Sequence, residues 1–337
     1  MTSQQRPERS AEYPLECDHC RYPIPGEPEE TDDGQFCSTA CLEASEGDDG
    51  DEIPDPSAYK RIVTGVEPID SLVPNGVPAD SFVCLSGAAG TRRSELLTEL
   101  VWRAIERGEP AVLVTATTPP AAVLERFFEN GWNVLPALED DRLRLVDCFT
   151  HRLADRDAFR DHRSEWIEFV GEAAAESIVA IEEPTDVEPI LRECNAALDD
   201  LEMTETGLMT IDSLSELARG LETDHVHEFV TETRATVCKA RYVPIFGGWT
   251  AGDEGASMDE SVFDGVVDLR LADHLESDTR LRQLGIRKLT GARFLPQWIT
   301  YEYEPVRGLL SSVVESPERT APGAPPSREA QGVRERR

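Results

Sequence analysis

An alternation of short apolar runs with amphipathic stripes, starting near Tyr59, is what most restricts the fold of this chain. SFVCLSG (81–87), PAVLVTA (110–116), RLRLVDCF (142–149), GLMTIDS (207–213) and YVPIFGGW (242–249) have the length and apolar content of buried strands. Between them, residues 94–108, 119–130, 186–202 and 223–240 carry apolar side chains at helical spacing. Val123, Leu124, Phe127 and Phe128 share one such face, and Val187, Ile190, Leu191, Cys194, Leu198 and Leu201 another. Strands of this kind separated by helices predict an α/β domain whose mostly parallel sheet is covered by helices on both faces. After Gly255 the pattern changes: VFDGVVDLRL (262–271), RLRQLGIRKL (280–289) and QWITYEYEP (297–305) follow one another as strands with turns, which predicts an antiparallel C-terminal extension.

The domain so read covers residues 59–306. Before it lie a cysteine-bearing module (14–46) and an acidic linker (47–58); after it, residues 316–337 are rich in Pro, Arg and Glu and are expected to be disordered. Residues 151–185 are charged and poorly patterned, and read as a variable insertion.

Charge narrows the setting. Asp and Glu number 66 against 33 Lys and Arg, a formal net charge of -33, and Lys60, Lys239 and Lys288 are the only lysines. The well-patterned apolar segments argue against disorder as the cause, so the acidity points to a surface adapted to molar salt, where screening acts within about 3 Å. The same conditions weaken phosphate contacts, whose affinity comes from counterion release, and this argues against nucleic acid as the main partner. No run reaches the roughly 18 to 20 apolar residues of a membrane span, and the polar start MTSQQRPERS lacks the apolar core of a secretory signal. The expected location is the cytoplasm.

CDHC (17–20) and CSTAC (37–41) set two cysteine pairs sixteen residues apart. Paired thiolates on two tight turns can surround one ion tetrahedrally, so Cys17, Cys20, Cys37 and Cys41 are predicted zinc ligands. Disulfides fit a reducing cytosol poorly, and a redox C-x-x-C would sit in a thioredoxin-like context. The segment resembles the N-terminal metal-binding module of heavy-metal-transporting P-type ATPases, with Ser38 in place of the second of two adjacent cysteines; the resemblance implies a borrowed zinc module rather than transport. Cys84, Cys148, Cys194 and Cys238 fall in predicted strands and helices and are expected in the core.

SGAAGTRRSELL (86–97) lies between the first strand and the first helix of the domain. In the phosphate-loop pattern G-x-x-x-x-G-K-S/T, Gly87 and Ser94 hold their places, but Arg92 stands for Gly and Arg93 for Lys. A working loop cradles phosphates with backbone N–H groups at a helix N-terminus, neutralises them with Lys and ligates magnesium through Ser or Thr. Here the cradle is interrupted by a bulky residue, and the charge is preserved in a different shape.

From residue 59 to 306 the chain resembles the KaiC-like branch of the RecA-superfamily ATPases, abundant in halophilic archaea. IVTGVEPIDSLVPNGVPADSFVCLSGAAG (62–90) carries the resemblance at the start; FDGVVDLRL and RQLGIRKLTGARF carry it at the end. It implies a RecA-like fold and a nucleotide site of Gly87, Gly90, Arg93, Ser94, Asp212 and Lys288, with ATP and magnesium as candidate ligands. Asp212 ends the strand of LMTIDSLSEL where the magnesium-supporting aspartate belongs; an Asp after a strand is also a common helix N-cap. Thr117 and Thr118 replace the Glu-Glu pair that polarises water, and Glu125 and Glu129 lie a turn or more along the following helix. Lys288 matches a lysine that reaches a neighbouring subunit's nucleotide in ring-forming relatives, with Thr290 in place of the usual Arg; it can equally be a solvated strand residue. His225 and His227, two residues apart, cannot share a helix face as metal ligands.

These readings converge on a catalytically degenerate ATPase domain that binds nucleotide weakly and acts as a regulatory or signalling module, with an unidentified protein partner and homo-oligomers as candidates. Two alternatives stay open: an active ATPase with an atypical loop, and a zinc-dependent nucleic-acid-binding or transcriptional regulator.

Overall fold

The computed structural model describes residues 60–220, 223–251, 259–273 and 280–312, with 17, 18, 24, 27–31, 34–36 and 38–46 of the cysteine module. Cys20, Cys37, the linker 47–58 and the tail 316–337 lie outside the described residues.

The module contributes β1 (Glu29–Thr31), β2 (Gly34–Phe36) and α1 (Thr39–Glu46). The domain opens with β3 (Arg61–Ile62), α2 (Glu67–Leu72) and β4 (Val77–Pro78). It continues through β5 (Phe82–Gly87), α3 (Arg93–Glu106), β6 (Ala111–Thr115), α4 (Pro120–Glu129), α5 (Leu135–Glu139) and β7 (Leu143–Asp147). Then come α6 (Arg156–Asp161), α7 (Glu165–Ala173), β8 (Ile178–Ala180), α8 (Val187–Asp200), β9 (Leu208–Ile211), α9 (Leu214–Gly220) and α10 (Thr223–Thr233), the last running on into a π-helical stretch, Arg234–Lys239. The end is β10 (Ile245–Thr250), β11 (Gly265–Asp273), β12 (Arg280–Leu289), β13 (Ile299–Glu304) and β14 (Gly308–Ser311).

Ten of the described strands form one sheet in the order β14-β13-β12-β11-β5-β10-β9-β6-β7-β8. The seven from β11 to β8 pair in parallel, and β12 to β14 add the antiparallel extension. The α/β fold with helices on both faces is therefore as the sequence predicts. One face buries Leu96, Leu100, Phe127, Trp132 and Val170 under α3, α4 and α7, and the other buries Ile190, Leu198, Leu217, Phe229 and Val230 under α8 to α10. Cys84, Cys148, Cys194 and Cys238 are core side chains of this second face, and burial pushes the Cys84 and Cys194 thiols up to about 12, which makes them inert.

Two expectations need correction. The extension begins one strand later than the sequence suggests, because β11 pairs in parallel with β5 and sends Val266 into one core and Val267 and Leu269 into the other. A strand apolar on both faces belongs inside a sheet. The segment 151–185 is also not mere insertion: it supplies α6, α7 and the edge strand β8, three residues long and too short to show a period. No described helix is long and apolar enough to cross a membrane.

The extension is tied to α3 through a fully buried carboxylate. Glu99, 0% exposed, accepts from the Leu309 amide at 2.7 Å and pairs with Arg103 at 3.1 Å. Burial raises its pKa from 4.5 to about 7, an effect that the Leu309 amide and Arg103 only partly offset. Because the folded value lies above the unfolded one, the native state holds an extra proton between these values, and stability falls as pH rises through that window. Glu99→Gln keeps an acceptor for Leu309 and removes the buried charge. It is expected to raise the melting temperature at about pH 8, with a gain of at most a few kcal/mol, and to flatten the pH dependence. Thermal melts across this range check it; an unchanged slope in the variant refutes it.

Candidate nucleotide site

The first parallel crossover places the loop 87–92 between β5 and α3, at the carboxyl end of the sheet, where open α/β sheets bind ligands. Gly87, Ala88, Ala89, Gly90, Arg92, Arg93, Ser94 and Glu95 line a pocket of about 410 Å³ with Thr250 and Arg282. Four of the predicted site residues, Gly87, Gly90, Arg93 and Ser94, thus come together.

The loop keeps the shape of a phosphate cradle despite its substitutions. Gly90 has φ 88°, a left-handed conformation that suits glycine. Arg92 takes φ 59° and ψ 31° as the N-cap of α3, so an arginine adopts the left-handed backbone that the pattern's glycine would supply at no cost. Its side chain turns aside, pairing with Glu95 at 2.6 Å and lying over the Tyr303 ring. No side chain caps the N-terminus of α3, whose first amides are therefore available to an anion. Side chains also hold the loop carbonyls: Arg93 on Gly87, Thr91 on Ala88, Arg282 on Gly90 and Tyr301 on Thr91.

Arg93 lines the pocket, but its terminal nitrogens are not free there as a loop lysine's ammonium would be. Its guanidinium folds back onto β10, donating to the Gly87 carbonyl at 3.0 Å, to the Trp249 carbonyl, and to the Thr250 hydroxyl at 3.2 Å. Gly248 makes the room: a Cβ there would stand 3.1 Å from Arg93 Nε and 2.5 Å from the Asp212 carbonyl oxygen. Burial lowers the Arg93 pKa, but a guanidinium stays charged at any physiological pH.

Asp212 follows β9, two strands from β5, and looks toward β6. Its carboxylate accepts from the Ala116 amide at 2.8 Å, the Thr117 amide at 3.0 Å and the Thr117 hydroxyl at 2.5 Å. Burial raises its pKa, against the pull of these three bonds and of Arg126. Thr117, one of the two residues that stand where the resemblance implies a carboxylate pair, is thus itself bound to Asp212. Asp212 does not act as an N-cap: in the turn before α9, the Ser213 hydroxyl accepts from the Glu216 amide.

Lys288 is not at this loop. Its ammonium donates to the carbonyls of Phe263 at 2.7 Å and Glu260 at 3.2 Å. It pairs in register with Val266, whereas Gly87 lies level with Leu269 and Leu284, four residues along β12. That is a separation of roughly 13 Å at about 3.3 Å per residue. Arg282 and Thr250 are the pocket residues that sequence reasoning missed. The glycine pair in FGGWT was the available sign for Thr250; for Arg282 there was none.

In the cysteine module, Cys17 is buried and packs with Ile24 and Phe36, with Cys41 and Leu42 alongside. Among the described residues no group of three His, Cys, Asp or Glu side chains is placed to hold a metal; Cys20 and Cys37 are outside them.

Comparison with known proteins agrees with the geometry. A UPF0273 protein of Methanopyrus kandleri is 28% identical over 160 residues, 48% of this chain and 56% of that protein. One from Thermotoga maritima is 31% identical over 91 residues, 27% of this chain and 38% of its own length. The chain therefore spans about half, or less, of these curated relatives. Among solved structures, the KaiC-like protein PH0186 of Pyrococcus horikoshii OT3 matches with a TM-score of 0.58 at 19% identity, covering 76% of this chain and all of that one, which speaks to the fold. The family described as "ATPase: KaiC" matches residues 62–310, well over half of the sequence, and the chain belongs to that family.

Proposed function

We propose that the domain binds ATP at this loop and serves as a nucleotide-responsive regulatory or signalling module, with hydrolysis weak or absent. The observation that carries the reading is the environment of Asp212. Its carboxylate is engaged by two amides and the Thr117 hydroxyl, and the position that should present a general base presents threonine. A threonine hydroxyl takes no proton at neutral pH, so assistance worth about 100- to 10,000-fold is missing. Glu95, the carboxylate at the pocket, is held by Arg92.

Phosphate binding fits the residues present: an uncapped helix N-terminus, a cradle in glycine-like conformation and three arginines. Magnesium would be held by Ser94 and Asp212 and would neutralise phosphate charge, but the raised Asp212 pKa and the Thr117 bond compete with it. The test is made at molar salt, with ATP expected to raise the melting temperature while phosphate release stays at background. Release that Asp212→Ala abolishes would make the domain an active ATPase; no thermal shift would leave an interaction scaffold. The charge of -33 favours a protein over nucleic acid as partner, in the cytoplasm.

We also infer that Cys17, Cys20, Cys37 and Cys41 hold one structural zinc ion. Asp18 donates its amide to the Gln35 carbonyl at 2.9 Å and accepts from the Gln35 amide at 2.8 Å. These bonds set the turn after Cys17 against β2, which leads into Cys37. Metal analysis is expected to find one zinc per chain. Cys37→Ser should lose it while the 59–306 domain keeps its cooperative melt, since the acidic linker separates the two units. Stoichiometric zinc in that variant would remove the assignment.

A further inference from the structure

Arg282 reaches from β12 to the loop, donating from Nε to the Gly90 carbonyl at 3.0 Å, and its side chain lines the pocket. Among the described residues it has no carboxylate partner. Among the three arginines that line the pocket, it alone has neither a carboxylate partner nor engaged terminal nitrogens. Arg92 is paired with Glu95, Arg103 with Glu99 and Glu106, and Arg287 with Asp268 and Glu260. A guanidinium has five N–H donors in a planar fork. The Gly90 bond uses one, so both terminal NH2 groups of Arg282 stay charged and uncommitted beside the pocket.

Arg93 likewise has no carboxylate partner among the described residues, but its two terminal nitrogens are engaged by Gly87, Trp249 and Thr250 and its Nε is buried without a partner. The two arginines bracket the loop, Arg93 at its first residue and Arg282 at Gly90, and the uncapped N-terminus of α3 follows. A phosphate on the helix amides leaves the next phosphate of a chain to meet a cation, and the pocket arginine whose terminal nitrogens are tied neither to a carboxylate nor to the backbone is Arg282. We propose that Arg282 binds the terminal phosphate of a polyphosphate chain seated on the loop, supplying from the same subunit the charge that the retracted Arg93 withholds. This rests on the nucleotide reading above and assigns a residue and a ligand preference within it.

Calorimetry on the full chain at molar salt tests it, with ATP, ADP and inorganic tripolyphosphate as probes. ATP and tripolyphosphate are expected to bind more tightly than ADP. Arg282→Gln should weaken both by about 10-fold or more while changing ADP little, the scale of one charge-assisted contact. Arg282→Lys, which keeps the charge without the fork, should lose less, and it serves if the glutamine variant melts abnormally. Arg270→Gln is the control. It makes the same charge change on the opposite face of the β11–β12 pair, where Arg270 bonds Gln283 and stacks on Trp298, and ATP affinity should stay as it was. Equal ATP affinity in Arg282→Gln and the unmodified protein overturns the proposal. So does an equal loss for ATP and ADP, or an equal loss in Arg270→Gln. If the unmodified protein binds none of the three probes, the nucleotide reading itself fails and takes this assignment with it.

Discussion

Phosphate release at least about 100-fold above that of the unmodified protein is expected when Thr117→Glu and Thr118→Glu are combined with Arg92→Gly and Arg93→Lys, but not from either pair alone. The two pairs act on different steps. Arg92 holds a left-handed backbone that costs a non-glycine residue about 1 to 2 kcal/mol, which glycine relieves, less the small contribution of an exposed pair with Glu95. Lysine at 93 cannot reproduce the fork on Gly87, Trp249 and Thr250, and its ammonium is free to meet phosphate. These gains appear in the ground state and tighten ATP binding without raising turnover. The two threonine replacements act on the chemical step: Thr117→Glu would end the hydroxyl bond to Asp212, free that carboxylate for magnesium and present an acceptor to water. Neighbouring subunits, through groups such as Lys288, would then matter for the rate. If the unmodified protein already hydrolyses ATP at a rate that Asp212→Ala lowers strongly, another carboxylate is the base and the degenerate reading falls. If the fourfold variant binds no nucleotide by calorimetry, the site is lost beyond the loop.

The elements with enough residues to show a period were legible in the sequence: the parallel strands around the loop and the helices α3, α4, α8 and α10 stand where their apolar patterns put them. What escaped was short or depended on partners. β8 and β14, three and four residues long, carry no usable alternation and exist because a neighbour offers an edge. The site divides along the same line. The sequence identifies Gly87, Gly90, Arg93 and Ser94 as loop residues, because their spacing is local. It cannot show that Arg93 bends back, since that depends on the room beside Gly248, 155 positions away in the chain. Nor can it separate Arg282 from Arg280, Arg287 and Lys288 on the same strand. Register does so, by setting Arg282 opposite Leu271, beyond the level of Gly87 and near the loop, and Lys288 toward the other end of the sheet. Thr117 is an intermediate case: the missing carboxylate is plain in the sequence, whereas the bond that ties its hydroxyl to Asp212 appears only in the fold.

Low salt is expected to unfold the domain or bring it close to unfolding. Even with every lysine and arginine paired, 33 carboxylates would have no basic partner, and among the described ion pairs Arg103 and Arg287 each already serve two acids. At molar salt repulsion among these groups is screened within about 3 Å, and at about 0.1 M it extends to about 10 Å, so each carboxylate then feels several neighbours. The compact state concentrates that charge and the unfolded chain disperses it, so the melting temperature should fall by on the order of 10 °C or more on dialysis from molar salt. Acidification separates this cause from simple loss of ion pairs. Moving from about pH 8 to about pH 5.5 at low salt should restore part of the lost stability, because Glu99 takes up its proton in that window. The internal anchor survives the change. Burial would push the Asp264 pKa up, but Arg234 at 2.6 Å, the Phe82 amide at 3.0 Å and Lys239 at 3.3 Å hold it below the ordinary value, so its contribution is lost only as pH falls below that ordinary value. Loss of ion pairs alone would predict the reverse, with acid weakening the fold further. A melting temperature that ignores salt would mean that the surplus carboxylates are not crowded on the folded surface, and their number would then have to be explained by a specific acidic function.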